Sequence, residues 1–418
     1  MPVSENDRDI VRQLAHRLAE VAALPIQNQN RNSWKALNRL EPVRPMVFIN
    51  ELPWGEVNKH DDLQCHCDDE FCRDIEYSLR EKLYLWEYMP ADMVIDPVFY
   101  TQTVFSDSGY GLSPVTVEGS SDYGIAARDY VPIMESDEQI DAITLPEITP
   151  DWQATEDIAA KTSELIGDIV PVERRGVVHM WCAPWDQLIQ WWGIQELYTD
   201  MKDRPEYVNR GVSKMMDVLC SRLDQLEEHN LLSLSDGNHR VGSGGLGITD
   251  QLPQDDYDGT HARPIDQWGT STGQIFSEVS PQMHDEFCLQ HELRWLERFG
   301  LNCYGCCEPL HNKLEILKQI PRLRRISMSA WVDIDQAAEQ MGQEYIFSHK
   351  PNPAVFAWDT WQPEETRTML EGALEKAEGC VVEIVMKDVS TCRNDPQRLW
   401  DWCRIAVEVA EQHAMTTA

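Results

Sequence analysis

The segment that most constrains this chain is residues 300–350, where three strand-like runs follow one another and each ends in reactive side chains. The runs cover residues 301–304, 323–329 and 344–348, and they are rich in apolar or β-forming residues. The residues that follow them are, in chain order, Cys306, Cys307, Glu308, Trp331, Asp333, His349 and Lys350. Repeated strand–helix units predict a parallel sheet, and the chemistry of (β/α)8 barrels collects where the strands end. These residues therefore predict the base of a functional site.

The same alternation of strands and helices extends over most of the chain. From residue 176 onward the sequence predicts six strand–helix units, with strands at 176–181, 231–235, 301–304, 323–329, 344–348 and 380–386. Two earlier segments, 44–50 and 92–105, also have strand composition, and the total of eight predicts an α/β fold of the (β/α)8 TIM-barrel type. The alternative is an open doubly wound sheet. It is disfavoured because no Gly-rich turn with dinucleotide-binding spacing lies between a strand and a helix.

The domain organisation follows from the same pattern. Residues 1–43 are predicted to form an N-terminal helical extension, because apolar residues recur at helical spacing between residues 7 and 25. Residues 44–418 form the predicted barrel, with an irregular excursion rich in Gly, Ser, Asp and Pro at about 106–150. The Gly-rich loop at 240–280 is predicted to be a flexible cover over a substrate, since loops this long in compact domains are often functional.

The charge balance excludes some partners. Lys and Arg total 36 and Asp and Glu total 71, so the net charge is −35. Nucleic acids and anionic membranes need a basic surface, and neither is an expected partner. The sequence lacks an apolar run of about 18 residues, and the polar residues after Met1 do not resemble a secretion signal. With 12 cysteines and no such signal, we expect a cytoplasmic enzyme with free or metal-bound thiols and a small-molecule substrate.

The adjacent thiols and carboxylate of Cys306-Cys307-Glu308 are residue types that bind zinc, and zinc can hold and activate a thiol substrate. A distant cysteine, Cys392, follows the predicted strand 380–386 and could complete the site. The alternative is that these are ordinary buried cysteines, because strand side chains alternate and one of the adjacent pair must face the core or a neighbour. The predicted metal ligands are Cys306, Cys307, Glu308 and Cys392.

Other strand ends carry candidate acid–base groups. Asp236 and His239 lie three residues apart in a turn and could form an acid–base pair, or an Asx-type turn with a surface histidine. Lys350 and the Lys387-Asp388 pair could neutralise an anionic substrate, or could be structural ion pairs. The predicted catalytic residues are Asp236, His239, Glu308, Lys350, Lys387 and Asp388.

Aromatic and polar residues near the predicted strand ends are the candidate substrate contacts. Tryptophans are more often part of a core, but they also suit a pocket for a methylammonium group or a flat macrocycle. The predicted substrate-binding residues are Trp54, Trp181, Tyr304, Trp331, Asp333 and His349.

A family resemblance rests on three sequence runs: EFCLQHELRWLERFGLNCYGCCEPL at 286–310, RLRRISMSAWVDID at 322–335 and SHKPNPA at 348–354. They are similar to the uroporphyrinogen decarboxylase-like superfamily, within a branch grouped with corrinoid-dependent methyltransferases. Residues 185–208 and 243–253 also resemble that branch. The resemblance implies a (β/α)8 barrel, a possible homodimer, and methyl transfer involving a thiol and a corrinoid held by a partner protein.

The resemblance also implies a zinc site made by a His-x-Cys pair and a distant Cys. Cys306 or Cys307 falls at the first Cys, and Cys392 lies near the distant one. Neither adjacent cysteine has a histidine two residues before it, so Glu308 is the substitute ligand that the motif suggests. The Arg-rich substrate motif of the decarboxylases is absent, and NELPWGEVN stands at 50–58 instead.

The leading hypothesis is a zinc-dependent methyltransferase that moves a methyl group between a small methylated substrate or corrinoid protein and a thiol. The alternative is a metal-free decarboxylase or lyase acting on an acidic substrate, with Asp236 as acid–base and Lys350 and Lys387 as carboxylate clamps. A third hypothesis is a non-catalytic corrinoid or tetrapyrrole carrier, and the lack of an Asp-x-His-x-x-Gly motif counts against it.

Overall fold

The computed structural model describes residues 3–58, 60–118 and 128–417. The strands in this part of the chain are β1 Met46–Ile49, β2 Phe99–Gln102, β3 Phe105–Asp107, β4 Val115–Glu118, β5 Arg128–Val131, β6 Ile148–Pro150, β7 Val172–Arg175, β8 Trp268–Ser271, β9 Leu301–Tyr304, β10 Leu323–Met328, β11 Ile346–His349 and β12 Val381–Met386.

The α-helices in the same ranges are α1 Glu5–Ala22, α2 Pro25–Asn38, α3 Trp54–Val57, α4 Glu70–Tyr88, α5 Asp137–Asp141, α6 Trp152–Ile166, α7 Pro184–Trp192, α8 Ile194–Asp203, α9 Pro205–Glu228, α10 Pro281–His284, α11 Gln290–Leu296, α12 Leu314–Leu317, α13 Ile334–Met341, α14 Pro363–Lys376 and α15 Gln397–Thr417. None of them has both the length and the apolar character that a membrane span requires.

The centre of the fold is a parallel sheet with the strand order β1-β12-β11-β10-β9-β8. Its register places Met46 opposite Glu383, Ser348 opposite Glu383 on the other side, and Ser327 opposite Ser348. Because all these pairs are parallel, the carboxyl ends of the strands lie along one edge of the sheet. The residues that follow each strand are therefore brought to the same side of the molecule.

Two further segments extend the sheet beyond β8 through isolated parallel bridges. Cys182 pairs with Ser271 of β8, and Val177 pairs with Leu232. With these segments the sheet has a TIM-barrel-like arrangement of parallel strands separated by helices. In the described residues no strand pair closes the sheet into a complete barrel.

The prediction for the second barrel strand is wrong. Within residues 92–105, β2 pairs with β7 in a separate two-stranded sheet, and β3 pairs with β6. The strand that belongs to the central sheet is β8, inside the Gly-rich stretch predicted to be a loop. Its sequence, WGTS, lacks aliphatic strand formers. Gly269 is required there because a Cβ atom would lie 2.3 Å from Asn302 Oδ1 and 2.6 Å from the Phe299 ring.

The first part of the Gly-rich loop packs inside the fold against the central sheet. The prediction that this segment is a flexible cover over a substrate is therefore wrong. Residues 241–249 are all buried. Arg325 of β10 donates hydrogen bonds to the carbonyls of Gly245 and Leu246, each at 3.2 Å. Glu383 of β12 accepts from Gly245 N–H at 2.9 Å and lies 3.1 Å from Arg325. The buried charges thus hold the loop inside the fold.

The N-terminal helices pack on the outside of this centre. Ser4 caps α1 by accepting a hydrogen bond from Asp7 N–H at 3.0 Å, and α1 packs against α4 and α6. Asn38, at the end of α2, donates to the carbonyls of Leu246 and Ile248 at 2.9 and 2.8 Å. The helical extension is therefore tied to the buried loop. The domain boundaries at 43 and 44 stay predictions, as does the extent of the 106–150 excursion, part of which lies outside the described residues.

Candidate active site

The turn after β9 places two thiols side by side at the carboxyl edge of the sheet. Gly305 has φ +95°, and a Cβ atom there would lie 2.3 Å from the carbonyl oxygen of Ser327. Only glycine fits this left-handed position without strain. The turn buries Cys306, which is 5% exposed, and leaves Cys307 exposed to solvent. Their Sγ atoms are 3.4 Å apart.

Hydrogen-bond donors and positive charges surround the Cys306 sulfur. Cys307 Sγ lies at 3.4 Å, Ser243 Oγ at 2.8 Å and Lys387 Nζ at 3.5 Å. The hydrogen bond from Cys307 is the largest effect that lowers the pKa of Cys306. The charges of Lys387 and Lys350 and the Ser243 hydroxyl add to it against the opposing effect of burial, and the pKa falls to about 6. At neutral pH this buried sulfur is therefore mainly a thiolate.

Lys387 connects the thiolate to a carboxylate pair. Its Nζ atom lies 3.2 Å from Asp388 Oδ2, 3.4 Å from Glu51 Oε2 and 3.3 Å from Ser243 Oγ. Burial opposes the charge on Lys387, but Cys306 and the neighbouring acidic groups raise its pKa. The lysine therefore remains an ammonium group, whose charge stabilises the thiolate beside it.

Both carboxylates stand on strained backbone. Glu51, after β1, has φ +52°, and Asp388, after β12, has φ +57°. Non-glycine residues in the left-handed region are uncommon and cluster at functional sites. Glu51 also pairs with Arg240, which donates a hydrogen bond to the carbonyl of Gly242 at 2.8 Å. The strand ends of β1 and β12 and the buried loop thus meet around Lys387.

Lys350 and His349 lie at the end of β11, and the charge of Lys350 acts on the Cys306 thiol. Lys350 is 4% exposed and donates a hydrogen bond to Ser327 Oγ. Burial lowers the pKa of Lys350, and burial also lowers the pKa of His349 to about 4, so His349 is neutral at pH 7. Both side chains line a cavity of about 350 Å³ with Asn352 and Trp402. This cavity is a candidate substrate pocket, and Lys350 in its lining is the residue whose charge also acts on Cys306.

Glu308 has a structural position. It is fully buried, and its carboxylate accepts hydrogen bonds from Thr272 Oγ1 at 2.7 Å, Gly273 N–H at 3.1 Å and Cys306 N–H at 2.8 Å. These bonds bind the turn after β9 to the end of β8. The carboxylate oxygens are thereby directed at backbone and hydroxyl donors and away from the positions of a zinc ligand or catalytic acid, which corrects the roles predicted for Glu308.

The predicted zinc ligands do not form a metal site in this arrangement. Cys392 is buried next to Glu56, which accepts a hydrogen bond from Cys392 N–H at 2.8 Å. Burial and the Glu56 charge raise the pKa of the Cys392 thiol to about 11. Among the described residues there is no group of three or more His, Cys, Asp or Glu side chains that could hold a metal ion. The donor set of Cys306, Cys307, Glu308 and Cys392 therefore does not fit zinc, and zinc stays a prediction.

In the described part of the chain, no hydrogen bond joins Asp236 to His239, and none joins either residue to the Cys306 sulfur. Burial raises the pKa of Asp236, and burial lowers the pKa of His239 to about 3. His239 Nδ1 lies 3.2 Å from the carbonyl of Gly237. The charges that act on Asp236 are those of Arg175 and Lys35, not those of the two site lysines. The decarboxylase hypothesis stays a prediction without support from this geometry.

The predicted substrate-binding residues differ in how far their side chains are exposed to solvent. Trp181 is 38% exposed and Trp331 is 74% exposed, so both are available to a ligand. Trp54 lines a second cavity of about 300 Å³, next to Glu51. Asp333 caps α13 by accepting a hydrogen bond from Gln336 N–H at 3.1 Å. These roles in binding stay predictions.

Tyr304 is the exception, because its side chain is fully buried. Its hydroxyl lies 2.7 Å from His284 Nε2 and donates to Glu292 Oε2 at 2.9 Å. It faces the core, and its predicted contact with substrate stays a prediction without support from this geometry.

Sequence reasoning did not identify Ser243, Glu51, Arg240 or His179 as site residues. His179 accepts a hydrogen bond from Gly242 N–H at 3.0 Å, and burial lowers its pKa to about 4. His179 lies two residues after Val177, which forms a parallel β-bridge with Leu232. Its position after a strand-like segment could therefore have marked it as a candidate site residue. Ser243 offered no signal, since a serine between glycines is typical of a loop.

Comparison with known proteins identifies a solved structure with a similar fold, but it does not identify a family. No family model matches the sequence, and no curated protein matches it. A solved methyltransferase from Methanosarcina mazei is similar in structure, with a TM-score of 0.50 over 92% of this chain and 98% of that chain, at 10% sequence identity. At this identity the similarity shows the fold alone, and it agrees with the barrel-like sheet described above.

Proposed function

We propose that this chain is a methyltransferase in which the Cys306 thiolate takes a methyl group from a methylated donor. The observation that carries the proposal is the environment of the Cys306 sulfur, with Ser243 Oγ at 2.8 Å, Cys307 Sγ at 3.4 Å and Lys387 Nζ at 3.5 Å. These groups stabilise a thiolate at neutral pH. The shared fold with a methyltransferase supports the same reaction class.

The first step is a displacement at the methyl carbon. The Cys306 sulfur forms the new S–C bond with its lone pair, and the donor leaves with the electrons of its bond to the methyl group. A sulfonium, a quaternary ammonium or a methylated corrinoid would be a suitable donor. After loss of the methyl group they would leave as a neutral thioether, a neutral amine and a Co(I) corrinoid, respectively. The product on the protein is S-methylcysteine. The cavity of about 350 Å³ lined by Lys350 and His349 is the proposed place of a small donor, and Lys350, whose charge acts on Cys306, is the residue that relates this cavity to the thiolate.

The second step returns the thiolate. A nucleophile stronger than a thiolate takes the methyl group, and the S–C bond breaks with its electrons left on sulfur. A Co(I) corrinoid held by a partner protein would be the acceptor, and it would supply the strong nucleophile that this step needs. The Ser243 hydroxyl and the Lys387 ammonium keep Cys306 deprotonated for the first step, and in the return step they stabilise the negative charge that develops on the departing sulfur.

Mass spectrometry of the cysteine peptides tests the proposal. The full chain is incubated with methylcobalamin, with trimethylsulfonium and with tetramethylammonium in separate reactions, and then digested. We expect a mass gain of one methylene group on the peptide that holds Cys306. Cys306→Ser abolishes the gain, whereas Cys220→Ser, at a half-buried thiol of α9, is the matched control that retains it. Methyl transfer that survives in Cys306→Ser, or no methylation of Cys306 by any donor, would overturn the proposal.

A further inference from the structure

The two adjacent thiols differ sharply in their surroundings. Cys306 is buried and its pKa is lowered, whereas Cys307 is exposed, and its hydrogen bond to the Cys306 sulfur raises its own pKa. The two Sγ atoms are 3.4 Å apart. Cys307 Sγ also lies 3.7 Å from Asp388 Oδ2. The site therefore holds a reactive thiolate in contact with a second, protonated thiol that solvent can reach.

We propose that Cys306 and Cys307 form a peroxide-reactive pair, in which Cys306 is oxidised by a hydroperoxide and Cys307 converts the product to a disulfide. This chemistry goes beyond methyl transfer and does not depend on it. Oxidation of Cys306 would remove the thiolate on which the proposed methyl transfer rests. The pair is thus a modification site that stops methyl transfer under oxidising conditions and is restored by thiol reductants.

The first step is attack of the Cys306 thiolate on the terminal oxygen of the hydroperoxide. An S–O bond forms, the O–O bond breaks, and the electrons of that bond leave with the alkoxide or hydroxide. Lys387 Nζ is 3.5 Å from the sulfur and is the nearest ammonium group that can give the departing oxygen a proton, which the lysine then recovers from water. The product on Cys306 is a sulfenic acid.

The second step joins the two sulfurs. Cys307 loses its proton and attacks the Cys306 sulfur, the S–S bond forms, and the sulfenic oxygen leaves as water. The sum is one hydroperoxide and two thiols converted to one disulfide, one alcohol or water molecule, and one further water molecule. The Sγ atoms are already 3.4 Å apart. Because the Cα atoms of adjacent residues lie about 3.8 Å apart, closer than the roughly 4.4–6.8 Å of ordinary disulfides, the bond closes a strained eight-membered ring and the backbone between Cys306 and Cys307 must adjust together with the side chains. A strained disulfide of this kind is readily reduced by thiols.

The electrostatics of the pair favour this order of events. In the reduced state the hydrogen bond to the Cys306 sulfur, burial and the negative charge on Cys306 all raise the pKa of Cys307 and keep its proton in place. Once Cys306 is a neutral sulfenic acid, that charge is gone, while the ammonium of Lys387 still acts to lower the pKa of Cys307. Asp388 acts in the opposite sense, but it is half-exposed and more weakly coupled. Cys307 therefore becomes more reactive when its neighbour is oxidised.

Peptide mass spectrometry after peroxide treatment tests the inference. The reduced full chain is exposed to hydrogen peroxide, its remaining thiols are alkylated, and it is digested. We expect the peptide that holds both cysteines to lose two hydrogen atoms, to resist alkylation and to recover both thiols after dithiothreitol. On a non-reducing gel the protein remains free of disulfide-linked dimers.

Three variants make the result decisive. In Cys307→Ser, Cys306 stops at the sulfenic acid, which dimedone labels, and then proceeds to sulfinic acid. In Cys306→Ser, Cys307 stays reduced at the same peroxide dose. Cys220→Ser, at a half-buried thiol of α9, is the control and behaves like the native chain. Circular dichroism confirms that each variant is folded, and Cys307→Ala replaces Cys307→Ser if the latter is not.

A native chain that goes to sulfinic acid without the disulfide would overturn the inference, and so would Cys306 left reduced or linked to another chain. No methyl donor enters this experiment. A disulfide that forms in a protein that fails the methylation test therefore leaves this inference standing and removes only the proposed function.

Discussion

The Sγ atom of Cys306, after β9, lies 3.5 Å from the Nζ atom of Lys387, after β12. The strands β10 and β11 separate β9 from β12 in the sheet, so this contact spans the carboxyl edge of several strands. The charge of the lysine reaches the thiolate only because the sheet curves as a barrel does. The thiolate is therefore a property of the folded sheet and not of the local sequence around Cys306.

Removing the Lys387 charge should make Cys306 less reactive at neutral pH. Without the ammonium group the pKa of Cys306 rises from about 6, by about one unit on the usual scale of a close opposite charge. Peptide mass spectrometry gives the rate of iodoacetamide alkylation at Cys306 between about pH 5 and about pH 9. Because only the thiolate reacts, the plot of this rate against pH has its midpoint near the pKa of Cys306. We expect Lys387→Met to shift that midpoint upward. Lys376→Met, which removes an exposed lysine paired with Asp335, is the control, and an equal midpoint in all three proteins would contradict the prediction.

Replacing Glu308 by glutamine should loosen the turn that holds Cys306. A glutamine amide has one acceptor oxygen, so it cannot satisfy the donors of Thr272, Gly273 and Cys306 together. An unsatisfied buried donor costs about 1–3 kcal/mol of unfolding free energy. Urea unfolding measures this loss. Glu315→Gln, at an exposed carboxylate that pairs with Lys318, should leave the unfolding free energy nearly unchanged, and equal losses in the two variants would show that Glu308 has no special role.

The sequence predicted the strands β9 to β12 well because each is a run of apolar or β-forming residues bounded by turn residues. The reactive residues at their ends lie on the edge to which the parallel topology brings them: Cys306 and Lys387 are in contact, and the charge of Lys350 acts on the Cys306 thiol. What the sequence could not show is the role of Glu308, because the distinction between a metal ligand and a turn anchor depends on which donors the fold brings to it.

The errors in the barrel count have a physical cause. The segment 92–105 has strand composition, but its strands pair with β6 and β7 in small side sheets, and composition does not specify the partner of a strand. β8 was missed because Gly269 is imposed by the close approach of Asn302 and Phe299, a tertiary contact. The buried loop at 241–249 was likewise unpredictable, since it depends on the charges of Arg325 and Glu383 far along the chain.

Breaking the buried ion pair inside the sheet should strongly destabilise the protein. Arg325 and Glu383 are both fully buried and 3.1 Å apart, and Arg325 also holds the carbonyls of Gly245 and Leu246. Arg325→Met leaves the Glu383 charge buried without its partner, which costs about 3–5 kcal/mol. The double variant Arg325→Met/Glu383→Leu should recover part of that loss. Arg8→Gln, at an exposed pair with Glu164, is the matched control for charge removal in urea unfolding. A single variant as stable as the native chain would show that the pair is dispensable.

Acid should destabilise the fold before its carboxylates titrate. Burial lowers the pKa of His179 and His349 to about 4, and of His239 and His284 to about 3. The folded state keeps these rings neutral, while the unfolded chain binds protons below about pH 6.5. Unfolding therefore takes up protons, and the unfolding free energy falls as pH decreases from about 6.5 toward 5, by at most about 1.4 kcal/mol per unit for each histidine. Urea unfolding at a series of pH values measures the slope, and His349→Gln should reduce it. The exposed His16→Gln serves as control, and a slope that His349→Gln leaves as steep as in the native chain would contradict the assignment.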